Sequence, residues 1–327
     1  MKVRNHIASL FATIVVAAAI PEPAFAVKVF VSNEKDNTVS VIDSDTLKVI
    51  KTIEVGQRPR GIMLVKDDKW LLLCTSDDNR IEVYDTETYK RIKLLPSGPD
   101  PELFEIHPSG NPLYIANEDD NIVTVVNIDT GTILAEVPVG VEPEGMAVSP
   151  DGKTVINTSE TTNMAHFIDA KTHKTYANVL VDNRPRVAQF TPDGKTVWVS
   201  SEIGGTVTII DAATQKKINT ITFEIQGITA DAIQPVGVRI SKDREKAYVA
   251  LGPANRIAIV NAKTYEVEKY VLVGQRVWNL AFADDEKYIF TTNGTSNDVS
   301  VIDVQKERAI KSIRVGRYPW GVVATQK

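Results

Sequence analysis

The sequence contains very little cysteine, and this scarcity excludes several classes of protein. Cys74 is the only cysteine among 327 residues, which rules out an intrachain disulfide and a CxxCH site for covalent haem attachment. It lies in the apolar run WLLLCTS (residues 70–76), which predicts a buried core thiol rather than a reactive one. Stability of the folded chain must therefore come from packing.

Histidine is also scarce, which argues against a metal centre. Of the four histidines, His6 is near the N terminus, His107 is in a turn, and His166 and His173 lie in and just after one strand. Neither HxH nor HExxH spacing occurs, so we expect no histidine-bound metal. The acidic run at residues 118–121 lacks the ligand spacing and central glycine of an EF-hand loop, and we expect a solvated turn there. We predict no metal and no cofactor.

Long apolar runs are absent except at the N terminus. Lys2 and Arg4 precede the run Ile7–Ile20, which is followed by PEPAFA through Ala26. This order is typical of a secretory signal peptide, and the run is too short to span a bilayer comfortably. We predict a signal peptide over residues 1–26 and a soluble mature chain, residues 27–327, without a membrane span. The formal net charge of −5 gives no indication of a nucleic-acid partner.

What the sequence does contain is a repeat of 42 residues with a single step of 50. One marker is a proline, at Pro59, Pro101, Pro143, Pro185 and Pro235, then replaced by Val277 and returning at Pro319; Val-Gly-x-x precedes it at Pro59, Pro143 and Pro319, and related residues stand at the other positions. A second marker ends each VxVID strand, at Asp43, Asp85, Asn127, Asp169, Asp211, Asn261 and Asp303. A period near 40 composed of strands and tight turns is typical of a β-propeller blade.

We therefore predict an all-β, seven-bladed propeller whose blades are four-stranded antiparallel sheets. In one unit, VAQF is strand A, TVWVSS strand B, TVTIID strand C and INTI strand D, rich in β-branched and aromatic residues. The N terminus begins at strand B, and WGVVATQ at the C terminus supplies the missing strand A. Sharing one sheet between both termini closes the ring and pairs edges that would otherwise be open.

In such a ring, the D-to-A and B-to-C connections surround one mouth of the central channel. The residues predicted there differ chemically from blade to blade, and the candidate ligand-binding set is Arg58, Arg60, Glu102, Glu144, Glu160, Arg184, Arg186, Glu202, Arg276, Trp278, Tyr318 and Trp320. We expect charges on one wall and aromatics on the other, which suits a small anionic or aromatic ligand. The alternative is that the charges neutralise each other and the tryptophans plug the channel.

The repeat phrases also carry a family resemblance. VSNEKDNTVSVID, VGQRPRGI, YIANEDDNIVTVVNI, NTSETTNMAHFIDA and FTTNGTSNDVSVID resemble YVTN-repeat, YncE-like seven-bladed propellers. More narrowly, they resemble the β-propeller proteins associated with PQQ-dependent catabolism. The resemblance implies a periplasmic accessory protein of Gram-negative bacteria that accompanies PQQ-dependent alcohol oxidation and an ABC-type transport system. A periplasmic dehydrogenase, a cytochrome or a transporter component would be its partner.

The function predicted on this basis is non-enzymatic binding of a small anionic or aromatic ligand, or of a partner protein, at the mouth, with no catalytic residue assigned. A purely structural interaction module that binds a periplasmic partner and no small molecule is a further alternative. PQQ dehydrogenases resemble eight-bladed propellers with a TGKxxW repeat, which this sequence lacks. The alternative from the enzyme class is a lactonase-like hydrolase, in which Glu144, Glu160 and the arginines would position water on an ester. The 8-residue excess between residues 185 and 235 places an insertion, FEIQGITADAIQP, on the mouth face, either as a lip or as a tolerated surface loop.

Overall fold

A computed structural model describes residues 27–326, so the predicted signal peptide lies outside the described residues. The chain forms β-strands joined by short connections, three of which contain a single 3₁₀ turn, at Ser76–Asp78, Ala230–Ala232 and Gly252–Ala254. The strands are, in chain order, β1 Lys28–Asn33, β2 Thr38–Asp43, β3 Lys48–Glu54, β4 Pro59–Val65, β5 Trp70–Thr75, β6 Arg80–Asp85, β7 Arg91–Pro96, β8 Pro101–Ile106, β9 Leu113–Asn117, β10 Ile122–Val126, β11 Ile133–Pro138, β12 Pro143–Val148, β13 Thr154–Ser159, β14 Met164–Asp169, β15 Lys174–Leu180, β16 Pro185–Phe190, β17 Thr196–Ser201, β18 Thr206–Asp211, β19 Lys216–Thr222, β20 Pro235–Ile240, β21 Lys246–Leu251, β22 Arg256–Asn261, β23 Val267–Leu272, β24 Val277–Ala283, β25 Tyr288–Asn293, β26 Asp298–Asp303, β27 Arg308–Arg314 and β28 Pro319–Ala324.

These strands form seven four-stranded antiparallel sheets, which confirms the predicted propeller. Blade 1 has the order β28-β1-β2-β3, so the C-terminal strand completes the N-terminal sheet as predicted. Blades 2 to 7 are the consecutive sets β4–β7, β8–β11, β12–β15, β16–β19, β20–β23 and β24–β27. In the blade quoted above, β17 and β18 coincide with the predicted strands B and C, while β16 and β19 extend beyond the predicted A and D.

Burial falls from the channel outward, and this explains the composition of the strands. The B and C strands are almost wholly buried, as in β17 with TVWVSS and β18 with TVTIID, because both faces of a blade pack against neighbouring blades. The D strands form the outer edge, and β19 has a single buried residue, Ile221. Apolar side chains cluster between adjacent blades, and Cys74 is a buried free thiol in one such cluster, as predicted. None of the helices in the described residues is long and apolar enough to cross a bilayer.

Buried hydroxyls join the inner strands of neighbouring blades. Thr158 Oγ1 accepts a hydrogen bond from the Gly145 amide of its own blade (2.8 Å) and donates to the Arg186 carbonyl of the next (2.7 Å). The inner strands lie so close that a Cβ at Gly145 would be 2.0 Å from that carbonyl oxygen. Hydroxyls at equivalent positions make the same connection to the next blade; they belong to Ser32, Ser200 and Thr292. Each hydroxyl satisfies two buried backbone groups.

The repeated aspartate that ends strand C stabilises the turn that follows it. Asp43 Oδ1 accepts hydrogen bonds from the Thr46 amide (2.7 Å) and hydroxyl (2.8 Å). The pair Asp169 and Thr172 has the same geometry, at 2.7 and 2.8 Å. These contacts lower the pKa of Asp43, with the Thr46 amide as the main cause. The marker is therefore a turn-forming residue, and it lies away from the mouth.

The insertion between β19 and β20 packs against the outside of blades 5 and 6. Phe223 and Ile233 are buried in the core shared by these blades, and Ile225 and Ile228 pack against it. The Glu224 amide donates to the Tyr270 hydroxyl at 3.1 Å. Residues 226, 227 and 229–231 are exposed, so the segment is a surface loop, as in the second predicted alternative, and its apolar residues tie it to the blades.

Candidate functional site

The D-to-A and B-to-C connections meet at one mouth, held by backbone hydrogen bonds. The amide of the first B-to-C residue donates to the carbonyl of the residue before the marker proline, for example Glu160 to Glu142 (2.8 Å) and Glu202 to Arg184 (2.8 Å). The residues whose carbonyls accept these hydrogen bonds have a left-handed backbone, with φ of 58° at Glu142 and 57° at Arg184. The structure therefore brings the predicted mouth residues together.

An asparagine ladder, which the sequence analysis missed, fixes these connections. Asn163 Oδ1 accepts a hydrogen bond from the Arg184 amide, 21 residues later, at 2.9 Å. Asparagines at equivalent positions of other blades make the same contact with the D-to-A connection; they are Asn37, Asn79, Asn121, Asn255 and Asn297. All of them have positive φ, which asparagine tolerates. Their recurrence every 42 residues was the available signal.

The ladder is interrupted where the insertion occurs. Blade 5 has Gly205 at the asparagine position, with φ of 67°. A Cβ there would lie 3.3 Å from the Ile233 carbonyl oxygen of the insertion. The insertion ends at Gln234, whose Oε1 accepts a hydrogen bond from Arg276 Nη1 at 2.6 Å. The insertion therefore stands in place of one asparagine contact, and its last residue, Gln234, accepts a hydrogen bond from the mouth residue Arg276.

The arginines of blade 2 are paired with acids from blades 1 and 3. Arg58 contacts Asp100 Oδ1 at 2.8 Å and Glu102 Oε1 at 3.0 Å. Arg60 pairs with Glu102 and lies 3.5 Å from Glu34 Oε1. Burial acts to lower the pKa of Arg60, but the charges of Glu102 and other carboxylates outweigh it and raise that pKa. The guanidinium groups therefore remain charged.

The arginines of blade 5 form a second cluster. Arg186 is 4% exposed; it contacts Glu144 Oε1 at 2.8 Å, pairs with Glu160 and lies 3.7 Å from Glu202 Oε2. Arg184 Nε contacts Glu160 Oε2 at 2.7 Å. Burial raises the pKa of Glu144, and the charge of Arg186 only partly offsets this effect. The charges of this cluster are thus directed at one another.

The aromatic residues adjoin these clusters instead of forming a separate wall. The Arg276 guanidinium lies 4.1 Å from the Trp278 ring centroid and contacts Glu202 at 2.5 Å. Arg60 lies 5.5 Å from the Trp320 ring. Tyr318 and Trp278 have ring centroids 6.5 Å apart. The predicted separation into a charged and an aromatic wall is therefore incomplete, because arginines pack against both tryptophans.

Four buried N–H donors of this region have no hydrogen-bond acceptor among residues 27–326. They are Arg60 Nε, Arg186 Nε, Trp278 Nε1 and Trp320 Nε1. All four belong to the residue after the marker position, in blades 2, 5, 7 and 1. Trp320 is 1% exposed. Since a buried donor without an acceptor costs about 1–3 kcal/mol, this part of the channel favours an oxygen-bearing occupant.

An acidic group beside these ion pairs has an unusual environment. Glu118 was expected in a solvated turn, but it lies half-buried beside Glu102, and burial together with the Glu102 charge raises its pKa to about 8. Its carboxylate belongs to two groups whose oxygens lie within 4.8 Å of one another, Asp100–Glu102–Glu118 and Glu118–Glu142–Glu160. A proton on Glu118 relieves the repulsion in both groups. These are the described residues best placed to hold a cation.

The histidines take structural positions. His166 Nδ1 lies 2.6 Å from Asn178 Oδ1, and its Nε2 accepts the Gly140 amide at 3.0 Å. Burial lowers the pKa of His166 and so favours the neutral ring. His107 contacts the Gly152 carbonyl at 2.9 Å, on the opposite face from the mouth as predicted.

A polar cavity of about 410 Å³ opens at the rim between blades 1 and 2. Glu34, Lys35, Arg58 and Arg317 line it, and Lys35 Nζ lies 4.4 Å from the Tyr318 ring. Of the predicted site residues only Arg58 contributes directly. Glu34 and Asp100, which the candidate set omitted, are as closely involved in the mouth as the residues it included.

Comparison with solved structures shows the fold. Hydrazine synthase of Kuenenia stuttgartiensis has a TM-score of 0.78 and 21% identity, with 85% of this chain and 92% of that chain covered. A functionally unknown protein of Desulfotomaculum acetoxidans has a TM-score of 0.78, 15% identity, and coverage of 91% and 98%. A Bacteroides uniformis protein provisionally assigned as a 6-phosphogluconolactonase has a TM-score of 0.77, 17% identity, and coverage of 91% and 99%.

The sequence comparisons add a family. No curated protein matches the chain. The family model for the choice-of-anchor I domain matches residues 118–315, from the B-to-C connection of blade 3 to the end of blade 7. The match includes most of the inner strands that build the mouth and spans more than half of the sequence. The chain therefore belongs to the choice-of-anchor I domain family.

Proposed function

We propose that this propeller is a non-enzymatic binding protein whose channel mouth takes a small molecule combining a ring with oxygen acceptors, such as an aromatic acid or a quinone. The four unpaired N–H donors of Arg60, Arg186, Trp278 and Trp320 carry this proposal. Water or ligand oxygens can accept hydrogen bonds from these donors. A ligand with a ring would also pack against the adjacent aromatic side chains, which water cannot do. The paired carboxylates hold the arginines in place.

The setting of this function rests on the resemblance of the repeats to propellers associated with PQQ-dependent catabolism. We propose export to the periplasm and service to PQQ-linked alcohol oxidation. A dehydrogenase, a cytochrome or a transporter component would exchange the ligand with the mouth. The predicted signal peptide over residues 1–26 supports export.

Binding of phenylacetate, 2-phenylethanol and PQQ by isothermal titration calorimetry tests the proposal. Trp320→Phe keeps the ring and removes the N–H, so it should weaken binding about 2- to 10-fold. Arg60→Lys keeps the charge but removes the Nε donor, with a similar expected loss. Trp198→Phe is the matched control, because Trp198 also has an unpaired indole N–H but lies in the core between blades. Equal affinities in all three variants would contradict the proposal.

The second candidate is the lactonase-like hydrolase. Glu144 and Glu160, the residues first considered, are engaged by Arg186. Glu118 is better suited, because a carboxyl with a pKa of about 8 can exchange protons near neutral pH. A lactone hydrolysis assay on the purified protein, repeated with Glu118→Gln and Glu144→Gln, separates the candidates. Turnover above buffer that Glu118→Gln abolishes would favour the enzyme, and no turnover would remove it.

A further inference from the structure

The opposite end of the channel has its own ring of inner-strand residues. Each inner strand shifts register after the marker position, between Pro235 and Val238 in blade 6 for example, so that the residue four positions after the marker also faces the channel. This residue lies about 10 Å from the mouth ring, at about 3.3 Å per residue. The ring consists of Met63, Glu105, Ala147, Gln189, Arg239, Ala281 and Val323.

This ring is mostly apolar, with one guanidinium. A cavity of about 610 Å³ opens there, lined by Met63, Ala281, Phe282, Val323 and Arg239, among others. Its volume lies within the range of about 300–1,000 Å³ found for small-molecule sites. The lining also includes the charged turn residues Lys242, Asp284, Asp285 and Glu286. The apolar residues together with the Arg239 guanidinium suit a ligand with an apolar body and one anionic group.

Arg239 differs from the mouth arginines in its contacts. Among residues 27–326, no carboxylate oxygen lies within 4.0 Å of its nitrogens. Its Nη1 donates to the Val238 carbonyl at 2.8 Å and to Gln189 Oε1 at 3.4 Å, which are neutral groups. Burial lowers the pKa of Arg239, and the only charge acting against this is Glu105. A bound anion would supply the missing charge.

The nearest acids do not fill that role. Glu105, on the other side of the channel, has its pKa raised to about 7 by burial, so it is only partly ionised at neutral pH. At the outer edge of the cavity, Asp285 contacts Lys242 Nζ at 3.2 Å, and Glu286 accepts the Lys242 amide at 3.0 Å. Both acids thus contact Lys242 of the neighbouring blade, and Asp284, which also lines the cavity, lies 3.4 Å from Lys287 Nζ.

We propose that this cavity is a second ligand site, separate from the mouth, that takes a small organic carboxylate with an apolar body. Its carboxylate pairs with the Arg239 guanidinium, and its apolar part packs against Met63, Ala281, Phe282 and Val323. The proposal does not depend on the function proposed for the mouth.

Methyl NMR with benzoate as the probe localises the site. Met63 lines the cavity, whereas Met146 and Met164 lie in the core and outer part of blade 4. In the protein labelled with ¹³C at methionine methyl groups, benzoate should shift the Met63 resonance through its ring current and leave Met146 and Met164 unchanged. Benzamide, which has the same shape without the charge, should bind at least about tenfold more weakly.

Two variants and a control complete the test. Arg239→Gln should weaken benzoate binding at least about tenfold, and Ala281→Leu, which fills the cavity and keeps the guanidinium, should also reduce it. Arg244→Gln removes an equal charge from an exposed turn of the same blade and should change the affinity less than about twofold. The proposal is overturned if benzoate leaves Met63 unshifted at about 10 mM, or if Arg239→Gln and Ala281→Leu both bind benzoate as the wild type does.

Discussion

Acidic residues of the mouth have different electrostatic environments, and the difference depends on their neighbours. Glu102 is fully buried but forms ion pairs with Arg58 and Arg60. Glu118, at the next connection, has no ion pair with an arginine or lysine among the described residues, and its neighbours are the acids Glu102 and Asp100. Burial and like charge therefore both favour its protonated form.

Glu118→Gln should stabilise the protein at alkaline pH. The pKa of Glu118 is about 8 in the folded protein and about 4.3 in an unfolded chain. Below the lower value both states are protonated, and as pH rises towards 8 only the unfolded state releases the proton, which lowers wild-type stability. The variant avoids this loss, so its free energy of unfolding should exceed that of the wild type by about 1–4 kcal/mol at pH 8 and by little at pH 4.5. Urea unfolding at both pH values measures it.

A control separates this effect from a general loss of negative charge. Glu87→Gln removes a carboxylate from an exposed position of a C-to-D turn. Its effect on unfolding free energy should be within about 0.5 kcal/mol at both pH values. An equal gain at pH 4.5 and 8 for Glu118→Gln would show that protonation of Glu118 is not the cause.

At the scale of the elements, the connections at the mouth depend on asparagine side chains more than on prolines. The ladder contact from Asn255 to Arg276 persists where Val277 replaces the marker proline. The contact is missing at Gly205, where the insertion supplies other packing. The proline that drew attention in the sequence marks the start of an inner strand, while the asparagine 22 residues earlier fixes the connection.

Asn163→Gly should therefore destabilise the protein by about 1 kcal/mol, because it retains the left-handed backbone but leaves the Arg184 amide without its acceptor. Asn163→Ala should cost more, because alanine also disfavours a φ of 57°. Thr220→Val on an exposed D strand is the control. Denaturant titration at constant pH gives the free energy of unfolding of all three variants. An Asn163→Gly variant as stable as the wild type would show that this contact of the ladder contributes nothing to stability.

At the scale of the whole molecule, the ring closes through blade 1. β28 pairs with β1, with Phe30 opposite Val323, and it brings the buried Trp320 and Val322 into the core. The Thr292 hydroxyl of blade 7 donates to the Trp320 carbonyl at 2.7 Å. The last strand thus links the first and seventh blades.

Truncation after residue 318 should open the ring. It exposes the edge of β1 and removes the burial of Trp320 and Val322, each worth about 1.5–3 kcal/mol. We therefore expect the free energy of unfolding to fall by more than about 5 kcal/mol. The melting temperature should fall strongly, and size-exclusion chromatography should show association. Removing residues 326 and 327 alone keeps β28 and is the control. A truncated chain that melts like the wild type would contradict closure through β28.

The sequence was sufficient for the fold because every blade repeats the same local signals. The 42-residue spacing predicted seven blades, and the phase of the termini predicted the shared sheet. Strands B and C of the quoted blade were predicted to the residue. The predicted mouth residues do come together, although the candidate ligand-binding set omitted Glu34, Asp100 and Glu118, and the asparagine ladder was not predicted. Their ligand-binding role stays a prediction.

The sequence by itself determined which residues lie at equivalent positions, because periodicity along the chain is a local property. Only the tertiary structure decided which of these residues become partners, since that depends on distances across the ring. It placed Arg186 between Glu144, Glu160 and Glu202 and gave Arg239 hydrogen bonds only to neutral groups among the described residues. The same residue type therefore forms ion pairs at one end of the channel and none with residues 27–326 at the other, because pairing depends on which blades face each other.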